Sequence, residues 1–235
     1  MKEILLFVFS VGILFAGDPS PLTTLDSYLA QNGFNLSPAN TRTNEGYSTE
    51  KQRNTFKKDC QSIPRLKKVL EIGFNGGHSC EAFLNSGSEI TVTSFDINKH
   101  PYTQTGVDFM SQKYPDRFQF IPGDSADTIN AYAADHPGEK FDLIFIDGCH
   151  EHSAAVKDIE NCRKLAHEET VVWIDDYVSW GAKTAIDQCA KEGLIKILEV
   201  KSEWEPLEDP LRIKISQGKS GYNPALRAWV IAKYL

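Results

Sequence analysis

The stretch KVLEIGFNGGHS, Lys68 to Ser79, constrains this chain more than any other. Val69, Leu70 and Ile72 form a short apolar run, as expected of a buried parallel strand. The run stops at Gly73, and Gly76 and Gly77 precede a helix-compatible segment from about Ser79 to Leu84. Glycines at a strand-to-helix turn let backbone approach a ligand closely, and the helix start presents free N–H groups. Doubly wound α/β folds hold nucleotide-like cofactors at such turns. A dinucleotide fingerprint counted from Gly73 needs glycine where Asn75 and His78 stand, so NAD is disfavoured. A glycine turn that merely packs a helix on a strand would look similar.

The rest of the chain supplies the context such a turn needs. From Lys68 onward, short apolar runs alternate with amphipathic stretches, the pattern of βαβ units around a parallel sheet. Strands are predicted at Ile90–Phe95, Phe118–Ile121, Phe141–Ile146 and Thr170–Ile174, with helices at Gln104–Tyr114, Ser153–Leu165 and Ala182–Lys191. Ile195–Val200 and Arg227–Leu235 read as two closing strands joined by a long polar excursion. The fold expected is therefore α/β, a doubly wound Rossmann-like sheet. Asp96 closes the second strand about twenty residues past the glycine turn, where an acid can accept ribose hydroxyls.

In an open α/β sheet the ligand site lies beyond the carboxyl ends of the strands. Asp96, Asp124, Asp147, Asp175 and Asp176 all fall there. Five carboxylates on one edge repel one another unless something positive sits among them. Ribose hydroxyls can satisfy Asp96, which leaves Asp147, Asp175 and Asp176 converging from the fourth and fifth strands. Three oxygen ligands suit a hard divalent cation such as Mg2+, and helix caps or surface acids are the plainer alternative. His150, three residues after Asp147, is an imidazole able to exchange a proton near neutral pH or to ligate a metal; His152 is a second candidate.

Read as E-x-G-x-x-x-G-x-S, the residues Glu71, Gly73, Gly77 and Ser79 resemble the first motif of class I S-adenosylmethionine-dependent methyltransferases. The variant is the one seen in small-molecule O-methyltransferases. The resemblance covers roughly residues 68–190. It implies that Glu71, Gly73, Gly77 and Ser79 serve the methionine end of S-adenosylmethionine, that Asp96 serves the ribose, and that Asp124 and Ser125 flank the adenine. Asp124 or Ser125 can equally cap the helix that follows. It also implies an antiparallel last strand. The strand-end acids resemble those of the metal-dependent members, both catechol-type and antibiotic sugar-tailoring, and Asp175-Asp176 matches the Asp-Asp pair of the second type. The general base departs from both patterns, because a catechol-type lysine is replaced by His150 and a sugar-tailoring aspartate by Cys149. The activity implied is methyl transfer to a small hydroxylated acceptor. Tyr177, Trp180 and Trp204 are candidates to wall it, or core residues.

Composition narrows the remaining classes. With 235 residues, 41% of them hydrophobic, the chain can bury a real core. A net charge of −7, spread rather than blocked, speaks against a nucleic-acid partner and for a small substrate. The sequence does not indicate an oligomeric state. Ile4 to Ala16 is an apolar run of thirteen after Lys2 and before Gly17, Asp18 and Pro19. That is short for a bilayer span, which takes about 20 residues, and resembles a signal-peptide core. Glu3 and Phe15 fit such a signal poorly, and an uncleaved anchor giving membrane association is the alternative. Export conflicts with a cofactor made in the cytosol, so localisation stays open. The five cysteines form neither a CxxC pair nor an evident disulfide framework. The organisation expected is a signal-like segment over 1–17, a loop and helical cap over 18–66, and the Rossmann-like domain over 67–235. The cap contains a short helix near Leu22–Asn32 and a polar one over Thr49–Ile63. Two other readings remain: a non-catalytic ligand-binding domain of the same fold, and a metal-dependent enzyme that transfers no methyl group.

Overall fold

The computed structural model describes residues 24–36, 48–204 and 226–235. The signal-like segment and most of the polar excursion after Trp204 lie outside these residues. Among the described residues no helix is long and apolar enough to cross a membrane.

Among the described residues seven strands form one sheet: β1 (Lys68–Ile72), β2 (Thr91–Asp96), β3 (Phe118–Pro122), β4 (Phe141–Ile146), β5 (Ala166–Ile174), β6 (Ile195–Trp204) and β7 (Leu226–Tyr234). Their spatial order is β3-β2-β1-β4-β5-β7-β6. The first five run parallel, and β7 lies antiparallel between β5 and β6. The order reverses between β1 and β4, the crevice where open α/β sheets place their ligand. The strand between them in the chain, β2, leaves to the other side.

The helices are α1 (Leu25–Gln31), α2 (Glu50–Gln61), α3 (His78–Leu84), α4 (Pro101–Lys113), α5 (Ser125–Asp135), α6 (His152–Cys162) and α7 (Trp180–Lys191), with a 3-10 turn at Arg163–Leu165. Several boundaries differ from the sequence expectation for local reasons. Pro101 sits in the first turn of α4, where its missing N–H is not needed, so the helix begins three residues before Gln104. The polar start of β5, Ala166–Glu169, is drawn into strand by pairing of Ala166 with Phe141, and a register shift follows between Phe141 and Leu143. The 3-10 turn takes the last residues predicted for the helix over Ser153–Leu165.

Two apolar layers sandwich the sheet. On one side α2 lays Phe56, 1% exposed, into a nest of Phe83, Phe145, Trp173 and Trp229, with ring centroids 5.3 to 5.9 Å apart. On the other, Ile129, Ile159, Cys162 and Ile186 from α5, α6 and α7 cover Leu70, Ile144 and Val172. The N-terminal helices are thus packed into the same core as the sheet, and α2 is held against its carboxyl edge. Thr49 caps α2 by accepting the Gln52 N–H at 3.0 Å.

Candidate active site

A cleft of about 820 Å3 opens along the carboxyl ends of β1, β2, β4 and β5, a volume in the range of small-molecule sites. Its walls come from the turn after β1, from Asp96 and Ile97, from Asp124 and Ser125, from the segment 147–158, from Asp175 and Asp176, and from Ser48 and Gln52 of the cap.

The turn after β1 is shaped by packing. Gly73 has φ +93°, and a Cβ there would lie 1.9 Å from the Asp147 carbonyl oxygen. Only glycine lets the ends of β1 and β4 meet this closely. Gly77 is the N-cap of α3 and sits against the Phe74 ring, behind the cleft wall rather than in it. Glu71 also stays out of the cleft. It is fully buried, and its two carboxylate oxygens accept from the Ser79 and Ser94 hydroxyls, each at 2.5 Å. Burial pushes its carboxyl up to about 8 against the pull of those two hydroxyls, with Asp147 and Asp96 adding to the rise. Glu71 therefore holds Ser79, and through it the start of α3, at the cleft wall. Ser79 itself lines the cleft.

Asp96 stands on the cleft edge. One oxygen accepts the Asn75 N–H at 2.8 Å and the other the Asn98 N–H at 2.7 Å, which fixes the carboxylate toward the opening. Nearby, Asn75 Oδ1 is buried without a hydrogen-bond partner, an acceptor of the kind a donor-bearing cofactor satisfies. Asp124 caps α5 by accepting the Ala126 N–H at 2.9 Å. Ser125 donates to Asp158 Oδ1 at 2.6 Å. Asp158 is buried at 2% exposure on the cleft-facing side of α6, and burial pushes its carboxyl up to about 6. Sequence reasoning missed Asp158. Its signal was an acid within the apolar stripe Ala155, Ile159 and Cys162.

At the far end, Asp147, Asp175, Asp176 and His150 gather. Burial raises Asp147 to about 6, with Asp176 adding to it and His150 opposing. Asp175 is raised well above the carboxylate range by burial, then by Asp147 and Asp176. Burial also disfavours the Asp176 charge, yet the His150 hydrogen bond, the His150 charge and the Arg227 charge together outweigh it and hold the carboxyl below its usual value. The hydrogen-bonding contacts with Asp147 and Asp176 push His150 up to about 11, so it is an imidazolium at neutral pH. That cation, with Arg227 entering from β7, is the positive charge the acidic edge requires. Arg227 lies some fifty residues beyond Asp176, and nothing local marked it.

Other candidates sit elsewhere. The His152 ring bridges to Thr184 at 2.9 Å and Gln188 at 2.8 Å on α7, away from the cleft. Tyr177 donates to Asp187 at 2.7 Å and carries Lys183 over its ring, while Trp180 is 83% exposed. Neither lines the cleft. The side chain of Trp204 lies outside the described residues.

Comparison with known proteins agrees with this fold. Residues 70–177 match the model of a methyltransferase domain family. No curated protein matches the chain significantly in sequence. Solved structures match it in fold. An O-methyltransferase from Bacillus cereus in complex with SAH superposes with a TM-score of 0.66 at 17% identity, covering 95% of this chain and 94% of its own. The O-methyltransferase TomG of Streptomyces achromogenes, involved in tomaymycin synthesis and solved with SAM, gives 0.63 at 12% identity, covering 89% and 87%. A SAH-bound methyltransferase from Podospora anserina gives 0.58 at 16%, covering 90% and 87%. The chain thus matches a methyltransferase domain over residues 70–177 and has the fold of these O-methyltransferases.

Proposed function

We propose that the enzyme methylates a hydroxyl oxygen of a small molecule, with a divalent cation beside the acceptor. The observation that carries this reading is the convergence of Asp147, Asp176 and His150, three metal-competent side chains, at the end of the cleft opposite Asp96. The donor set fits a divalent ion: two carboxylates and an imidazole whose ligand atoms all lie within 4.8 Å of one another. Asp175 is adjacent to them. When bound, such an ion acts as a Lewis acid that lowers the pKa of a coordinated hydroxyl and orients it.

The chain's own residues do the rest. Asp96 accepts the ribose hydroxyls, with its carboxylate fixed by two backbone N–H groups. Ser79 and the turn at Gly73 support the methionine end, and Asp124 and Ser125 flank the adenine. In-line transfer from sulfonium to oxygen requires that the two reactants be held at attack distance, and the packed floor of β1 and β4 provides that rigidity. His150 holds a proton between Asp147 and Asp176, and it must lose that proton before serving as base or ligand.

The test is an acceptor screen read by mass spectrometry. Catechols, flavonoids and hydroxylated sugars are incubated with the enzyme and S-adenosylmethionine, with added divalent ions or with chelator. A product heavier by one methyl group, formed on oxygen and abolished by chelator, is the expected result. Methylation that is indifferent to chelator removes the ion from the account, and methylation only on nitrogen or carbon refutes the acceptor class.

A further inference from the structure

The resemblance noted in the sequence leads one to expect three carboxylates around the ion. The side chains converge differently. Asp175 lines the cleft too, but its carboxylate is engaged by protein donors. Its Oδ1 accepts the Asp176 N–H at 2.8 Å, and its Oδ2 accepts from Gln52 Nε2 at 3.3 Å. Gln52 is itself 4% exposed and is fixed from behind, its Oε1 accepting the Ser48 hydroxyl at 3.1 Å. Each Asp175 oxygen thus has a protein donor, and the cluster of ligand atoms is formed by Asp147, His150 and Asp176 without it. The cap helix, 123 residues away in the chain, supplies one of those donors.

The third ligand position is filled from another element. His150 Nε2 lies 2.6 Å from Asp176 Oδ2 and 3.7 Å from Asp147 Oδ1. Adjacent donors on one octahedral ion, each about 2.1 Å from it, stand roughly 3 Å apart, and the two distances bracket that value. His150 is half-exposed, Asp147 and Asp176 less so, and all three line the cleft. An ion placed among them is reachable from the acceptor side.

We infer that Asp147, Asp176 and His150 are this enzyme's inner ligands, with Asp175 an outer carboxylate fixed by Gln52, and that the site selects a borderline transition ion such as Co2+, Zn2+ or Fe2+ over Mg2+. An imidazole nitrogen suits these ions, whereas an all-oxygen set suits Mg2+. Outer-sphere partners such as Gln52 and Asp175 then orient the inner ligands. The inference rests on the metal-dependent reading above, and its test needs neither acceptor nor methyl transfer.

The full-length protein is titrated with Co2+ and, separately, with Mg2+, followed by calorimetry and by the visible absorption of Co2+. The expected result is tighter binding of Co2+ than of Mg2+ by at least tenfold. His150→Ala should weaken Co2+ at least tenfold and change its spectrum, while Mg2+ binding moves by less than threefold. Asp175→Asn and Gln52→Ala should each weaken Co2+ less than His150→Ala does. His150→Gln serves if the alanine variant unfolds, as judged by its urea midpoint. A Co2+ affinity and spectrum unchanged by removal of the imidazole overturns the inference while leaving an oxygen-only site intact. So does loss of binding in Asp175→Asn that exceeds the loss in His150→Ala. Failure of the folded wild-type protein to bind any divalent ion overturns the metal-dependent reading itself, and the inference with it.

Discussion

Replacing Gly73 by alanine tests how the turn after β1 is tied to Asp147. The new Cβ would stand 1.9 Å from the Asp147 carbonyl oxygen and 2.7 Å from its carbon, both backbone atoms. Asp147 cannot simply retreat, because its N–H donates to the Ile72 carbonyl at 2.9 Å, while the Gly73 N–H donates to Phe95 at 2.8 Å. The strained φ of +93° costs alanine about 1–2 kcal/mol. Forcing the two strand ends apart adds about 1–3 kcal/mol, as for other overpacked interiors. The expected loss is therefore roughly 2–5 kcal/mol, measured as a fall in the urea midpoint at unchanged slope. Gly138→Ala is the control: its φ is +89° but a Cβ there meets nothing within 4 Å, so only the conformational cost of about 1–2 kcal/mol applies. S-adenosylmethionine binding should fall in Gly73→Ala and persist in Gly138→Ala. If both variants lose the same stability, the close approach of β1 to β4 is not what Gly73 provides.

Three further outcomes follow from the same structure. Phe56→Ala should destabilise the protein by about 3–5 kcal/mol in urea unfolding, since its ring is buried among four aromatics; a loss under about 1 kcal/mol would show that α2 is not docked. Burial pushes the Asp158 carboxyl up to about 6, above its ordinary value, so its protonated form is favoured by folding. Its contribution is present at low pH and lost as pH rises through about 4 to 6, on the order of 3 kcal/mol; Asp158→Asn should flatten that part of the stability profile, and an unchanged profile contradicts the assignment. Asp96→Ala should weaken S-adenosylmethionine about 10- to 100-fold in calorimetry, the worth of a charged hydrogen-bond acceptor, and unaltered affinity would place the ribose elsewhere.

The sheet was legible where a largely apolar run stops at glycine or aspartate, as Val69–Gly73 and Phe141–Asp147 do. Periodicity failed where pairing rather than composition makes the strand, at the polar start of β5. The acids of the site were legible as strand-end residues, but their directions were not. Asp176 adopts φ +56°, and Asp175 and Asp176 consequently serve different partners despite being neighbours. No sequence pattern reports a left-handed aspartate. Gln52 and Arg227 reach the cleft from distant elements, so only the fold reveals them. Glu71 and Gly77 were found by motif, yet both act behind the wall: one secures Ser79, the other starts α3. A motif marks which residues matter without saying which of them touch the ligand.

The most direct measurement is calorimetric titration of the full chain with S-adenosylmethionine, wild type beside Asp96→Ala. Saturable binding in the wild type, weakened at least tenfold in a variant that keeps its urea midpoint, is the predicted result. A folded wild-type protein that binds no S-adenosylmethionine would contradict the assignment of this cleft as the cofactor site.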